Sequence, residues 1–312
     1  MKFIVFGAFG FIGTHFREKA LIQNEIELVF VTSQLSNIVH ASDQKTISIE
    51  EFNDRMSDEE IASADVVVYL GSASVPSTFV IEPWREVAEN VEVPFKLLKR
   101  IVRINPRIRL VFASSGGTVY GKSCTQSPID ESAALEPISA YGLGKVLMEQ
   151  VIAFLGRTEG LSYSILRIGN PIGVHAKSHI QGLVGAVLRN AAEDKHLTIF
   201  GDGSHVRDYL SANDVAEAIV LAALNSEFID TIWNVGSGVG YSVLEIIALI
   251  SDEIGRPIAV KHQPARGIDV NTIILDSSKI KRDLGWRSST PLRTEIAAMW
   301  NKLNSKIGGN AK

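Results

Sequence analysis

The most constraining stretch of the chain is its beginning. An apolar, β-rich run, Phe3-Ile4-Val5-Phe6, leads into Gly7-Ala8-Phe9-Gly10-Phe11-Ile12-Gly13 and then a helical stretch to about Ile22. Strand, glycine turn and helix in that order open a doubly wound α/β unit. Glycines let backbone amides come close to a pyrophosphate, and the helix start offers it unpaired N–H groups and a positive dipole end. The spacing alone is weak, but its place between the first strand and the first helix is specific. Gly7, Phe9, Gly10, Phe11, Ile12 and Gly13 are therefore candidate dinucleotide contacts; the alternative is a tight turn with no ligand.

Later strands continue the pattern. Ile26 to Val31 runs into Thr32-Ser33, where a dinucleotide fold usually places an acid against the adenosine ribose. Ser33 stands there instead, and no arginine follows to receive a 2′-phosphate, so NAD and NADP both stay open. Asp65 to Leu70 reads as a buried strand followed by the small residues Gly71-Ser72-Ala73. Trp84 to Arg103 reads as one long amphipathic helix, and Ile108 to Phe112 as a strand ending in Ser114-Ser115-Gly116-Gly117-Thr118-Val119-Tyr120-Gly121. Ligands of open α/β sheets bind at the carboxyl ends of the strands, which makes that hydroxyl-rich run a site candidate.

Tyr141 and Lys145, four residues apart, share one face of a helix. A free phenol has a pKa of about 10, and an ammonium within about 4–6 Å lowers it by roughly 1–3 units, giving a base for a sugar or alcohol hydroxyl. The pair is common by chance and gains meaning from the glycine turn and the hydroxyl run before it.

Composition removes other classes. The chain has 312 residues, 46% of them hydrophobic, and a formal charge of -4 with no basic stripe, so neither nucleic acid nor an anionic membrane is an expected partner. A single cysteine, Cys124, forms no internal disulfide and suits a reducing compartment, the cytoplasm by default. His175, His179, His196 and His205 lack metal-ligand spacing, and no metal is assigned.

From Phe3 to about Trp286 the chain resembles the extended short-chain dehydrogenase/reductases of the NAD-dependent epimerase/dehydratase type, and among them the nucleotide-sugar 4-epimerases. The resemblance is carried by Gly7-x-x-Gly10-x-x-Gly13, Ser114-Ser115-x-x-Thr118-Val119-Tyr120-Gly121 and Tyr141-x-x-x-Lys145 in the family's order. It implies Tyr141 as catalytic base and acid, and Lys145 as the residue that tunes it and holds the nicotinamide ribose. It also implies cofactor contacts at Ser33, Leu70, Gly71, Ser72, Asn90 and Ser114. The family's catalytic Ser/Thr falls on Gly116, which leaves Ser115 and Thr118 as equal candidates for holding the reacting hydroxyl. On the substrate side the resemblance implies Asn170, Phe200, Arg207, Arg266 and Asp269, with the two arginines against a diphosphate.

The expected fold is a doubly wound parallel sheet with a smaller C-terminal α/β lobe. Residues 1–168 and about 206–236 would form the cofactor lobe; about 169–205 and 237–312 would form the substrate lobe. The expected reaction is 4-epimerisation of a UDP-hexose or UDP-N-acetylhexosamine. The alternatives are an NAD(P)H-dependent 4-ketoreductase, raised by Ser33, and a non-catalytic nucleotide sensor, raised by Gly116. The resemblance further implies a homodimer through helices near 84–103 and 139–155.

Overall fold

The computed structural model describes residues 1–309 apart from 24, 34–43, 55–56, 122–127, 175–181 and 265–271. Cys124, His175, His179, Arg266 and Asp269 lie outside the described residues. The strands are β1 (Lys2–Phe6), β2 (Glu27–Thr32), β3 (Lys45–Ser48), β4 (Val66–Tyr69), β5 (Arg109–Ser115), β6 (Ser162–Ile168), β7 (Asn170–Ile172), β8 (Leu197–Phe200), β9 (Val206–Ser211), β10 (Thr231–Val235), β11 (Gly240–Ser242), β12 (Val260–Gln263) and β13 (Thr272–Ile273). Seven of them form one parallel sheet in the order β10-β6-β5-β4-β1-β2-β3.

Parallel neighbours need crossovers, so helices cover both faces and the strands are apolar on both sides. Successive residues of β1 divide between the two cores. Phe3 and Val5 pack with Phe30, Leu166 and Trp233 beneath helices Phe11–Leu21 and Ala212–Leu224. Ile4 and Phe6 pack with Leu98, Phe112 and Ile152 beneath helices Val93–Ile104 and Ala140–Glu159. The sheet thus fixes the carboxyl ends of β1, β4, β5 and β6 side by side.

The long helix expected over residues 84–103 is broken up. It runs as α-helix over Trp84–Val87, as π-helix over Ala88–Glu92, and as α-helix again over Val93–Ile104. Pro94 has no N–H to give the carbonyl four residues before it, that of Asn90, and the hydrogen-bond ladder is redistributed there.

The smaller lobe holds the β7, β9, β11 and β13 sheet, the β8–β12 pair, and helices Gly182–Ala192, Val243–Ile254 and Leu292–Gly309. Its core includes Ile172, Leu188, Tyr209, Ile246 and Ile250. β9 lies in this lobe's sheet, and the chain returns to the main sheet through helix Ala212–Leu224 and β10. The segment from β13 to Thr290 is tied back by Leu275 bridging Ile129, Trp286 Nε1 donating to Asp214 O (2.9 Å) and Trp233 Nε1 donating to Asp283 (2.9 Å). No helix among the described residues is long and apolar enough to cross a membrane.

Candidate active site

The turn after β1 rests on the turn after β4. Gly7 has φ +79°, a left-handed value, and a Cβ built on it would stand 2.7 Å from both Leu70 C and Gly71 N. Gly13 is equally pressed: a Cβ there would meet Ala8 Cα at 2.8 Å. Gly10 N donates to Gly7 O at 3.0 Å, and Gly10 is the N-cap of helix Phe11–Leu21 without a side-chain cap. The first helical N–H groups therefore face outward with no side-chain oxygen on them, a cradle that a pyrophosphate fits. Phe9 lies edge-on to Phe30, and Phe11 edge-on to His15, which holds both aromatics beside the turn. Ser33 follows the end of β2, and residues 34–43 beyond it are not described.

Helix Ala140–Glu159 begins at Ser139, whose hydroxyl accepts from Gly142 N at 3.1 Å. Its first turn carries Tyr141 beside the end of β5, with the Ser115 hydroxyl near enough to favour the ionised phenol. Lys145 is buried one turn later; its Nζ donates to Ala113 O at 2.9 Å and lies 5.6 Å from the centre of the Tyr141 ring. The expected lowering of the tyrosine pKa is not what the geometry gives. Burial pushes the Tyr141 phenol up to about 12 against the downward pull of Ser115, and the nearby Glu86 carboxylate adds to the rise. Lys145 in turn is pulled down to about 8 by burial, with Glu86 and Glu149 opposing. At both groups the loss of water outweighs what their neighbours contribute.

Ser115 and Thr118, equal in sequence, are unequal in space. Thr118 Oγ1 donates at a long 3.4 Å to Ser115 O, whereas the Ser115 hydroxyl is the group that draws the Tyr141 pKa down. Gly116 has no room for a hydroxyl: a Cβ there would stand 2.6 Å from Leu275 Cδ1 and 2.9 Å from Arg167 O. Strand alternation turns Ser114 the other way, and its side chain donates to Glu149 Oε1. Its hydroxyl is spent there, leaving only its backbone for a cofactor. Glu149 also receives Arg167 Nε at 3.1 Å and Nη2 at 2.7 Å, and Arg167 Nη1 donates to Tyr120 Oη at 3.1 Å. This buried ion pair braces the base of the site.

Asn90, in the π segment, uses its whole amide on its neighbours. Oδ1 accepts from Ala73 N at 2.8 Å and Ser72 Oγ at 3.4 Å; Nδ2 donates to Ser74 Oγ at 3.0 Å and Glu86 Oε1 at 3.1 Å. It holds the turn after β4 against the helix rather than projecting toward a ligand.

Comparison with known proteins agrees with this geometry. The model of the NAD dependent epimerase/dehydratase family matches residues 3–236. The chain belongs to that family. A UDP-glucose 4-epimerase of Halalkalibacterium halodurans is 30% identical over 96% of this chain and 95% of its own. A dTDP-4-dehydro-6-deoxyglucose reductase of Escherichia coli is 31% identical over 77% of this chain and 75% of its own. The crystal structure of the Thermotoga maritima UDP-glucose 4-epimerase with UDP-glucose superimposes with a TM-score of 0.86 at 28% identity, covering 98% of this chain and all of that one.

In this epimerase/dehydratase chain the described substrate-side candidates Asn170, Phe200 and Arg207 stand on β7, β8 and β9. Asn170 opens β7, and a Cβ on Gly117 would stand 2.8 Å from its Oδ1, so it borders the hydroxyl turn. Phe200 ends β8, parallel to Gln263 of β12. Arg207 lies in β9 between Tyr241 and Ile273, half-buried, with Nη1 donating to Val206 O at 2.8 Å. The neighbouring Asp208 is 1% exposed, and its carboxylate accepts from Ser237 N (2.7 Å), Gly238 N and Leu275 N (both 3.1 Å). Sequence reasoning missed Glu86, Glu149 and Arg167. The one available signal for Glu86 is its place four residues before Asn90 on the same helix. Among the described residues no group of three or more His, Cys, Asp or Glu could hold a metal.

Proposed function

We propose that the protein is a nucleotide-sugar 4-epimerase that works with NAD held on the Gly7–Gly13 turn. The observation that carries this reading is the nearness of Tyr141, Lys145 and the Ser115 hydroxyl at the carboxyl end of β5, two strands along the sheet from β1 and its turn. NAD, when bound, supplies a reversible hydride acceptor. Tyr141 Oη, as the phenolate formed when its own proton has passed to solvent, takes the proton of the sugar C4 hydroxyl and returns it after the ketone has presented its other face. Ser115 Oγ orients the reacting oxygen, and Lys145 stabilises the phenolate when the proton leaves. Arg207 holds the diphosphate by paired, charge-assisted hydrogen bonds, with Arg266 as the second such residue and Asp269 on the nucleoside ribose.

The relatives support the UDP-hexose class: both the H. halodurans epimerase and the T. maritima structure with UDP-glucose align with nearly the full chain. The E. coli reductase supports a second reading, 4-ketoreduction of a deoxy nucleotide sugar. The two differ in what happens to the cofactor. An epimerase reuses one hydride and gains from retaining NAD, whereas a reductase exchanges it each turnover. The purified protein, with no cofactor added, should interconvert the 4-epimers of a UDP-hexose and consume no NADH or NADPH. A protein that leaves these sugars untouched and oxidises NAD(P)H stoichiometrically with a 4-keto-6-deoxy sugar nucleotide is the reductase instead. We further propose a homodimer through the exposed Val87, Val93, Leu143 and Phe154 on the helices covering the Tyr141 face of the sheet.

A further inference from the structure

Glu86 is a buried acid that none of these roles uses. It is 1% exposed, although the short helix that carries it is otherwise at the surface. Its Oε1 accepts from Asn90 Nδ2 at 3.1 Å; its Oε2 is buried with no hydrogen-bond partner among the described residues. Its seat is made by a missing side chain. A Cβ on Gly144 would stand 2.6 Å from Glu86 Cγ and 2.9 Å from its Cδ, so only glycine at that position admits the acid beside the first turns of the Tyr141 helix.

A carboxylate so placed requires a compensating cation. The charged groups around it are few. Arg85 and Glu89 of its own helix pair with each other at 2.7 Å on the exposed side. From the facing helix come Tyr141, Lys145 and Glu149. Beneath Lys145 the sheet offers the Ala113 carbonyl and the Phe112 ring, 4.9 Å from Nζ, neither of which carries charge. Glu149 is already committed to Arg167 and Ser114. Among the described residues Lys145 is the cation of the facing helix that Glu86 acts on, without a direct ion pair between them, and of the two acids acting on Lys145 only Glu86 has no salt bridge.

We propose that Glu86 is a positioning residue, the counter-ion that keeps Lys145 an ammonium beside Tyr141. The proposal rests on the role given to the Tyr141/Lys145 pair above. Burial draws Lys145 down to about 8, and Glu86 is the larger of the two influences opposing it. The same carboxylate raises Tyr141, so both effects retain protons in the resting site.

The test reads Lys145 through stability, which needs no substrate. Its folded-state value of about 8 lies below the ordinary 10.5, so the folded protein releases this proton before the unfolded chain does. The resulting destabilisation is fully present below pH 8 and is relieved as the pH rises toward 10.5. The difference in urea midpoint between wild type and Lys145→Met, followed across that window, isolates this one proton. Glu86→Gln preserves shape and an acceptor for Asn90. In its background the onset of relief, measured against Glu86→Gln/Lys145→Met, should move down by at least about one unit, a tenfold change in the proton equilibrium. The alkaline limb of kcat should move with it, and Glu86→Asp should restore most of the difference. An unchanged onset in Glu86→Gln overturns the proposal. If that variant does not fold, Gly144→Ala, which crowds the carboxyl from its seat, gives the same comparison. Absence of epimerase activity in the wild type would remove the functional reading while leaving this measurement decisive for Glu86.

Discussion

Restoring the family hydroxyl at residue 116 should damage the protein. The Cβ of Gly116→Ser would arrive 2.6 Å from Leu275 Cδ1 and 2.9 Å from the Arg167 carbonyl, both inside contact distance. A leucine tip at the surface would swing aside, but Leu275 is 0% exposed and Arg167 O belongs to the backbone of β6. Overpacking of this kind costs about 1–3 kcal/mol. At roughly 2–4 °C per kcal/mol for a chain of a few hundred residues, the melting temperature should fall by about 2–12 °C. Leu275→Ala alone should cost about 2–5 kcal/mol through its cavity. Together the changes should cost less than their sum by about 1–3 kcal/mol, because the serine occupies space the leucine vacates. Urea midpoints at constant m measure all three differences. The activity of Gly116→Ser should fall, while the double variant should recover part of it. A Gly116→Ser protein that melts with the wild type and turns over faster would refute the closed geometry and return the substrate hydroxyl to position 116.

Three further outcomes are expected. Tyr141→Phe should fold normally and lose at least about 10²-fold in kcat, and Ser115→Ala should lose more activity than Thr118→Val in the same assay. Glu149→Gln should destabilise by about 3–5 kcal/mol in urea, since it leaves Arg167 as a buried cation whose bidentate partner is gone. Arg207→Ala should weaken UDP-sugar binding by roughly 1.5–3 kcal/mol in calorimetry and leave cofactor affinity unchanged, as for one lost charged hydrogen-bonding group. Equal affinity in wild type and variant would place the diphosphate elsewhere.

The sheet was legible because its strands are apolar runs at crossover spacing, a pattern set by burial on both faces. The glycine turn was legible because Gly7 and Gly13 are sterically forced, with no space for a Cβ. β3 and the two short helices after it, Ile49–Asn53 and Asp58–Ser63, went unread although Ser48 and Glu51 form a capping box that the Ser-x-x-Glu spacing announces. The π segment could not be read from periodicity, since it depends on where the Asn90 carbonyl finds a donor once Pro94 gives none. The choice between Ser115 and Thr118 was equally out of reach, because it turns on strand alternation in β5 and on where the helix Ala140–Glu159 sets Tyr141. The direction of the Tyr141 shift was misjudged for a simple reason: spacing reveals neighbours but not the loss of water around them.

The family match ends at residue 236, yet the hydrogen bonds that finish its structure come from later in the chain. Asp208 awaits Leu275 N, Gly236 N awaits the Ser277 hydroxyl, and the carboxylate of Asp214 awaits the amides of Ser289 and Thr290. During synthesis the amino-terminal portion leaves the ribosome first. Its sheet can begin to form then, but Gly116 has no Leu275 against it until residue 275 has been added. A nascent chain paused near residue 236 therefore carries the cofactor turn and the Tyr141 helix without a closed catalytic centre, and exposes the acids that the last segment caps. The fold of this enzyme is thus completed by residues that follow the matched segment.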